Sequence, residues 1–379
     1  MLPNYIELAV PFFFLFIFIE IIFSYFSKKN LYRLNDSISS LSCGITEQVI
    51  EASLKTVGIT MYLYVYENFR VSTLDLKSTF IWIICFILVD LAYYFFHRSS
   101  HHVNFIWATH IVHHQSEEYN LTTALRQSTL QNTLSAFYYL PLALVGFPLF
   151  MFIACYQINL IYQFFIHTKI IKKTGVFEKV MNTPSHHRVH HAKNLKYIDK
   201  NFAGVFIIWD KMFGTFMEEE DEPIYGIVSP VKTFNPIWLN LSYWKDLLVF
   251  SIKTPNWKDK ILIWVKGPAD LKLSAKEIPL ENNFANQDET EKYDPKVSGN
   301  AKLYIFINFV LITIFSVKFL EIFNSLIVFN KIIYGFIILF TLASLGLLLE
   351  KNKNSKTIEG LRVVSTVVLL FLTYQLNSN

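Results

Sequence analysis

Apolar residues in this chain come in long, nearly unbroken blocks. The first, LAVPFFFLFIFIEIIFSYF over residues 8–26, is interrupted by one charge, Glu20. At roughly 1.5 Å per residue it is long enough to cross a bilayer as a helix. No small-residue cleavage site follows it, so the pattern predicts an anchor rather than a signal peptide. Lys28, Lys29 and Arg33 come directly after, which assigns that end to the cytosolic side. Residues 41–68 mix apolar positions with Glu47, Glu51 and Lys55, and read either as an amphipathic helix packed on its neighbours or as a second crossing. STFIWIICFILVDLAYYFF over 78–96 is a clear crossing that runs straight into His97. The block 133–165 is broken by Pro141, Gly146 and Pro148, which predicts two half-length helices dipping into the bilayer and returning. Three further apolar runs, near 302–322, 331–349 and 361–374, close the chain. The fold class expected is all-α, a multi-spanning helical membrane protein.

Polar residues inside these blocks carry more information than the blocks themselves. Asp90 lies within a crossing, where a carboxylate is costly and marks function by default. It precedes His97 by seven residues and His101 by eleven, so all three project from nearly one helix face. That placement predicts a carboxylate holding an imidazole by its outer N–H; the plainer reading pairs it with Arg98 or a neighbouring helix. Asn159, Gln163 and His167 form an i, i+4 stripe that should face a partner or cavity instead of lipid. Beyond the crossings, EEEDE (218–222) reads as a solvated acidic loop. NWKDKILIWVKGP, rich in tryptophan and lysine, suits helices at headgroup level. ENNFANQDETEKYDPKVSGN (281–300) reads as a flexible linker. The organisation expected is therefore anchor helices over 1–77, a catalytic region over 78–222, an interfacial segment and linker over 223–300, and C-terminal membrane helices over 301–379.

Composition agrees: 53% hydrophobic residues, 17% aromatic and a mean hydropathy of +0.34 exceed the values of soluble domains. The net charge of +4 is too small to indicate a nucleic-acid partner. Cys43, Cys85 and Cys155 are too few and too scattered for a disulfide framework.

The candidate chemistry is in the histidines. All eleven lie between His97 and His191. They fall into H-x3-H (His97, His101), H-x2-H-H (His110, His113, His114) and a second H-x2-H-H (His187, His190, His191), with His102 and His186 adjoining and His167 between the last two. Within each group, two imidazoles four residues apart share a helix face, with any third beside them, so each group offers two or three nitrogens to one point. Neutral imidazole is a good ligand for first-row metals. Zinc is satisfied by four ligands, and eight or nine suit two metals; nitrogen donors without nearby cysteine favour redox-active iron. A di-iron centre at a membrane surface predicts O2-dependent oxidation of a lipid C–H bond. The competing readings are a zinc-bound hydrolase or metal scaffold, a proton-relay transporter, and an accidental histidine-rich tract.

These three groups resemble the histidine boxes of the fatty acid hydroxylase/sterol desaturase superfamily of membrane di-iron oxygenases. The intervening stretches FHRSSHHVNFIWATHIVHHQSEEYNLTTALRQS, TPSHHRVHH and IDKNFAGVFIIWDKMFGTF resemble its tetrahydrobiopterin-dependent, ether-lipid-cleaving branch, most strongly over about residues 80–216. The resemblance implies hydroxylation, with O2, of the alkyl carbon attached to the ether oxygen of an alkylglycerol or ether phospholipid, giving a fatty aldehyde and a glycerol derivative. It implies two Fe ions held by His97, His101, His110, His113, His114, His187, His190 and His191, with His167 beside them, and tetrahydrobiopterin as electron donor. Animal members carry Glu directly after the second histidine, where this chain has His102; Glu117 or Glu118 is the nearest acid that could replace it. On this reading Asp90 and Asp199 orient ligands and Arg126 contacts the lipid headgroup. The alternative within the superfamily is a sterol, fatty acyl or carotenoid hydroxylase or desaturase driven by an NAD(P)H-linked electron chain.

Overall fold

A computed structural model of the protein describes residues 4–269 and 291–378. The helices are α1 (Tyr5–Ser27), α2 (Leu34–Phe69), α3 (Thr79–His102), α4 (Asn104–Trp107), α5 (Ile111–His114), α6 (Leu121–Ala124), α7 (Gln131–Val145), α8 (Leu149–Ile166), α9 (Pro184–His190), α10 (Ile208–Phe213), α11 (Pro236–Lys253), α12 (Trp257–Val265), α13 (Gly299–Ile322), α14 (Val328–Leu349) and α15 (Ser355–Ser378). Among the described residues there is no β-strand, and six of these helices are long and apolar enough to cross a membrane: α1, α3, α8, α13, α14 and α15. The protein is a multi-spanning, all-helical membrane protein.

Side-chain contacts set the direction of each helix. α1 and α8 ascend together: the backbone N–H of Tyr5 donates to Gln157, Phe13 stacks on Phe164, and Glu20 accepts from Thr168. α2 descends, with Ser39 and Ser40 beside Arg126 near its start and Tyr62 donating to the Phe147 carbonyl near its end. α3 returns to the first end, and α7 descends again. At the C-terminus, Glu350 just beyond α14 accepts backbone N–H groups of Phe234 and Asn235, so α14 also finishes at that end. The outcome is a bundle whose histidine-bearing segments all gather at one end.

The structure refines four expectations. The broken block 133–165 forms two helices, of which the 15-residue α7 is short as expected and α8 is not. Its turn falls at Gly146–Pro148 as expected, but Pro141 is accommodated inside α7, and α8 runs without a breaker to a length that can span a bilayer. Residues 41–68 follow the first of their two readings, a helix packed on its neighbours, and are not among the candidate crossings. They belong to the 36-residue α2, which packs on α7, α11, α13 and α14 and buries Glu47 and Glu51 against Asn132 and Thr133. Of the linker, 281–290 lie outside the described residues. The described remainder is docked: Arg33 donates to the Tyr293 carbonyl, Asn35 to Asp294, and Lys292 pairs with Glu118 at 2.7 Å. The acidic run is a loop with Glu218, Glu220, Asp221 and Glu222 exposed, as expected. Within it Glu219 takes a two-pronged contact from Arg188 at 2.6 and 2.7 Å, and Glu220 and Asp221 hold Lys196.

Candidate metal centre

Short helical turns aim the histidines. α3 carries His97 and His101 on its last turns. α4 and α5 are four-residue pieces that bring His110 to a helix start and His113 and His114 to its end. Pro184, fixed in φ, occupies the first turn of α9, whose end presents His187, His190 and His191. His167 caps α8.

Nine imidazoles converge into two groups. One is His97, His101, His110, His114 and His190; the other is His113, His167, His187 and His191. Within each group the candidate ligand nitrogens lie within 4.8 Å of one another, and none of the nine residues is more than 8% exposed. His102 and His186 belong to neither; His186 sits edge-on to Phe216 instead.

Five of the outward nitrogens are already engaged. Nδ1 of His97 faces the Phe202 carbonyl at 2.7 Å, His110 the Gln131 side-chain oxygen at 2.8 Å, and His113 the Arg126 carbonyl at 2.9 Å. His167 faces the Gln163 carbonyl at 2.7 Å and His190 the Lys200 carbonyl at 2.9 Å. Carbonyl oxygens only accept, so each of these Nδ1 atoms carries the proton and each Nε2 is a bare lone pair. Yet Nε2 of His97 is 3.0 Å from that of His110, and Nε2 of His113 is 3.2 Å from that of His167. Two bare lone pairs cannot hydrogen-bond to each other. At a metal–nitrogen distance of roughly 2.1 Å, cis ligands at right angles stand about 3.0 Å apart. Buried Nε2 atoms of His101 and His190 have no protein partner. The donor set therefore fits one metal ion per group. Burial holds His110 and His167 down to about 4 and His190 to about 3, so these imidazoles are neutral and ligand-ready at physiological pH.

The fatty acid hydroxylase family model matches residues 82–215, a span that contains both groups. Over nearly the whole chain the similarity is to alkylglycerol monooxygenases. That of Xenopus tropicalis is 38% identical over 379 residues, 98% of this chain and 82% of the relative. Those of Homo sapiens and Danio rerio are 37% and 36% identical, each over 97% of this chain and 82% of their own length. The chain belongs to the alkylglycerol monooxygenase family. No solved structure matches it.

Of three other residues singled out in the sequence, Asp90 and Arg126 take different places from those expected and Asp199 does not. Asp90 is fully buried but touches no imidazole. It accepts from Asn159 Nδ2 at 2.7 Å, the backbone N–H groups of Val205 and Phe206 at 2.7 and 2.9 Å, and Trp209 Nε1 at 2.9 Å. The helix-face argument was sound, but backbone donors from a distant segment fill the carboxylate first. Asp199 does approach a histidine, its Oδ1 lying 3.4 Å from His101 Nδ1. Arg126 is not placed for a headgroup: it is 2% exposed, and its guanidinium donates to the Val112 carbonyl and to Ser39 and Ser40. A buried guanidinium collects acceptors from its surroundings, and here they join α5 to α2. Glu117 and Glu118, the acids nearest to replacing the one absent at His102, are both engaged by Arg33.

The polar stripe on α8 faces a partner, as its spacing requires: Asn159 meets Asp90, and Gln163 donates to Asn159 at 2.5 Å. Sequence reasoning missed the carbonyls of Phe202, Arg126 and Lys200, which carry no side-chain signature. It also missed Gln131, whose only signal was a polar residue at the head of an apolar block. An opening beside the five-histidine group is lined by His101, Trp107, His114, His190 and Asp199, among others.

Proposed function

We propose that this protein is a membrane di-iron monooxygenase that cleaves the ether bond of alkylglycerols or ether phospholipids. The observation that carries the reading is the pair of histidine groups, nitrogen-only and with five outward nitrogens already committed, in a chain of this family. His97, His101, His110, His114 and His190 would hold one iron; His113, His167, His187 and His191 would hold the other. Bound there, two Fe ions would supply O2 activation, with electrons from tetrahydrobiopterin. Hydroxylation of the carbon bonded to the ether oxygen leaves a hemiacetal, which collapses to a fatty aldehyde and a glycerol derivative.

The chain's own contribution is orientation and exclusion. Outward hydrogen bonds fix the tautomer of five of the nine imidazoles before any metal arrives, the usual way proteins set ligand direction. Burial keeps bulk water from the ligand nitrogens. The groups stand at the ends of α3 and α8, where a lipid's polar head meets its alkyl chain. Lys28, Lys29, Arg33, Lys169, Lys172 and Lys173 cluster at that end, which the positive-inside rule assigns to the cytosol, in a bacterial inner membrane or the endoplasmic reticulum.

The test is aldehyde release from an alkylglycerol by membranes containing the protein, with O2, with and without tetrahydrobiopterin. Pterin-dependent release is expected. Lipid hydroxylation driven by an NAD(P)H-linked donor, without aldehyde release from the ether substrate, would overturn the assignment.

A further inference from the structure

We infer that residues 199–206 form a positioning segment for the five-histidine group alone, and that Asp90 and Asp210 hold it in place from outside the site. The inference rests on the reading of the two groups as iron sites.

One short stretch of chain supplies the outward partner of three of the five histidines. Asp199 lies beside His101 Nδ1, the Lys200 carbonyl faces His190 Nδ1, and the Phe202 carbonyl faces His97 Nδ1. None of the four histidines of the other group is given such a contact by this stretch. His113 leans on the Arg126 carbonyl and His167 on the Gln163 carbonyl of its own helix. The outward Nδ1 partners identified for the two groups thus come from separate pieces of chain, although Asn201 Nδ2 also donates to the His186 carbonyl of α9, the helix that carries His187, His190 and His191.

The segment has no helix or strand to stiffen it, and Asp199 and Asn201 both sit at φ 56°, in the left-handed region that non-glycine residues rarely adopt. Two carboxylates hold it, beside backbone and side-chain contacts from Asn182 to Ala203 and Val205 and a backbone bond from Asn201 to Thr215. Asp210 accepts the backbone N–H groups of Phe202 and Ala203 at 2.8 and 2.9 Å, and Thr215 at 2.7 Å. Asp90 accepts those of Val205 and Phe206. Between the two pairs, a Cβ on Gly204 would fall 2.7 Å from Asp90 Oδ1 and 2.9 Å from Asn159 Oδ1, so only glycine permits this approach. Asp90 lies on the same helix as His97 and His101. It pegs the segment to the helix whose imidazoles the segment then orients.

A carboxylate is required at 90 because four N–H donors point at it, and an ionised acid is acceptor-only. Asparagine would offer one oxygen and set an NH2 group against the remaining donors. Asp90→Asn should therefore release the segment and lower metal affinity at the five-histidine group by about 10- to 100-fold, the usual cost of losing a ligand's outer partner.

The experiment is iron content per chain in purified, detergent-extracted protein at limiting iron. Wild type should hold about two irons, and Asp90→Asn or Asp210→Asn about one, since only one group depends on the segment. Adding His114→Ala to Asp90→Asn should change nothing further, because that site is already empty. Adding His187→Ala should remove the remaining iron. Retention of both irons in Asp90→Asn, loss of both together, or insensitivity of the remainder to His187→Ala would each overturn the inference. So would failure of both carboxylate variants to fold, which would make the pair a requirement of the whole fold. A wild-type protein that binds no iron would instead sink the di-iron reading beneath it.

Discussion

At the scale of single residues, the site is a set of imidazoles held neutral by burial and aimed by what lies behind them. Replacing His113 or His190 by Ala removes one nitrogen from each group in turn and leaves every membrane helix intact. Each variant should lose at least about 100-fold in activity while remaining in the membrane fraction; retained aldehyde release in either would refute its role as a ligand. Burial also dictates a pH dependence. His110, His167 and His186 fall from 6.5 to about 4 in the folded chain. Between those values the unfolded chain binds more protons, so the stability of the metal-free protein should rise with pH across that window and level off above it. Thermal melts of apoprotein from pH 4.5 to 7.5 check this, and a flat profile would contradict it. Residue-scale legibility was uneven for one reason. Ligand candidates announce themselves by type and spacing, whereas their partners are mostly backbone carbonyls. Arg126 shows the other side of the same limit: a lone arginine in a polar stretch looks available until its neighbours are known to be carbonyls and hydroxyls.

At the scale of elements, the i, i+4 spacing correctly paired imidazoles on each turn but could not distribute them between metals. His113 and His114 are adjacent in sequence yet serve different groups, because successive residues on a helix diverge by about 100°. Which direction meets which partner depends on how α3, α5, α8 and α9 dock. That docking depends on close approach between α2 and the turn after α6. A Cβ on Gly44 would stand 2.2 Å from the Leu125 carbonyl oxygen, and the neighbouring Arg126 carbonyl is the one His113 leans on. Gly44→Ala should force α2 away, costing about 1–3 kcal/mol and loosening His113. Its thermal unfolding in detergent should shift downward, with weaker iron retention at the four-histidine group; an unchanged melt would show that the backbone there yields freely. The expectation of half-length helices over 133–165 held for the turn at Gly146–Pro148 and for the 15-residue α7, which tolerates Pro141 within its turns. It did not hold for α8, which is long and apolar enough to span.

At the scale of the whole molecule, the apolar blocks made the fold class readable from hydropathy alone, since a bilayer admits few backbone arrangements. What they could not convey is how α2, with its buried Glu47 and Glu51, ties α7, whose Gln131 faces His110, to α13 and α14. The account as a whole stands on two metal ions held by nitrogen at one end of this bundle. Metal analysis of the purified wild-type protein, with iron X-ray absorption, tests that most directly. The account predicts about two irons per chain, each surrounded by nitrogen and oxygen scatterers, the second-row donors that imidazole and water provide. A protein that takes up zinc alone when iron is supplied, or iron with a sulfur shell, would contradict it.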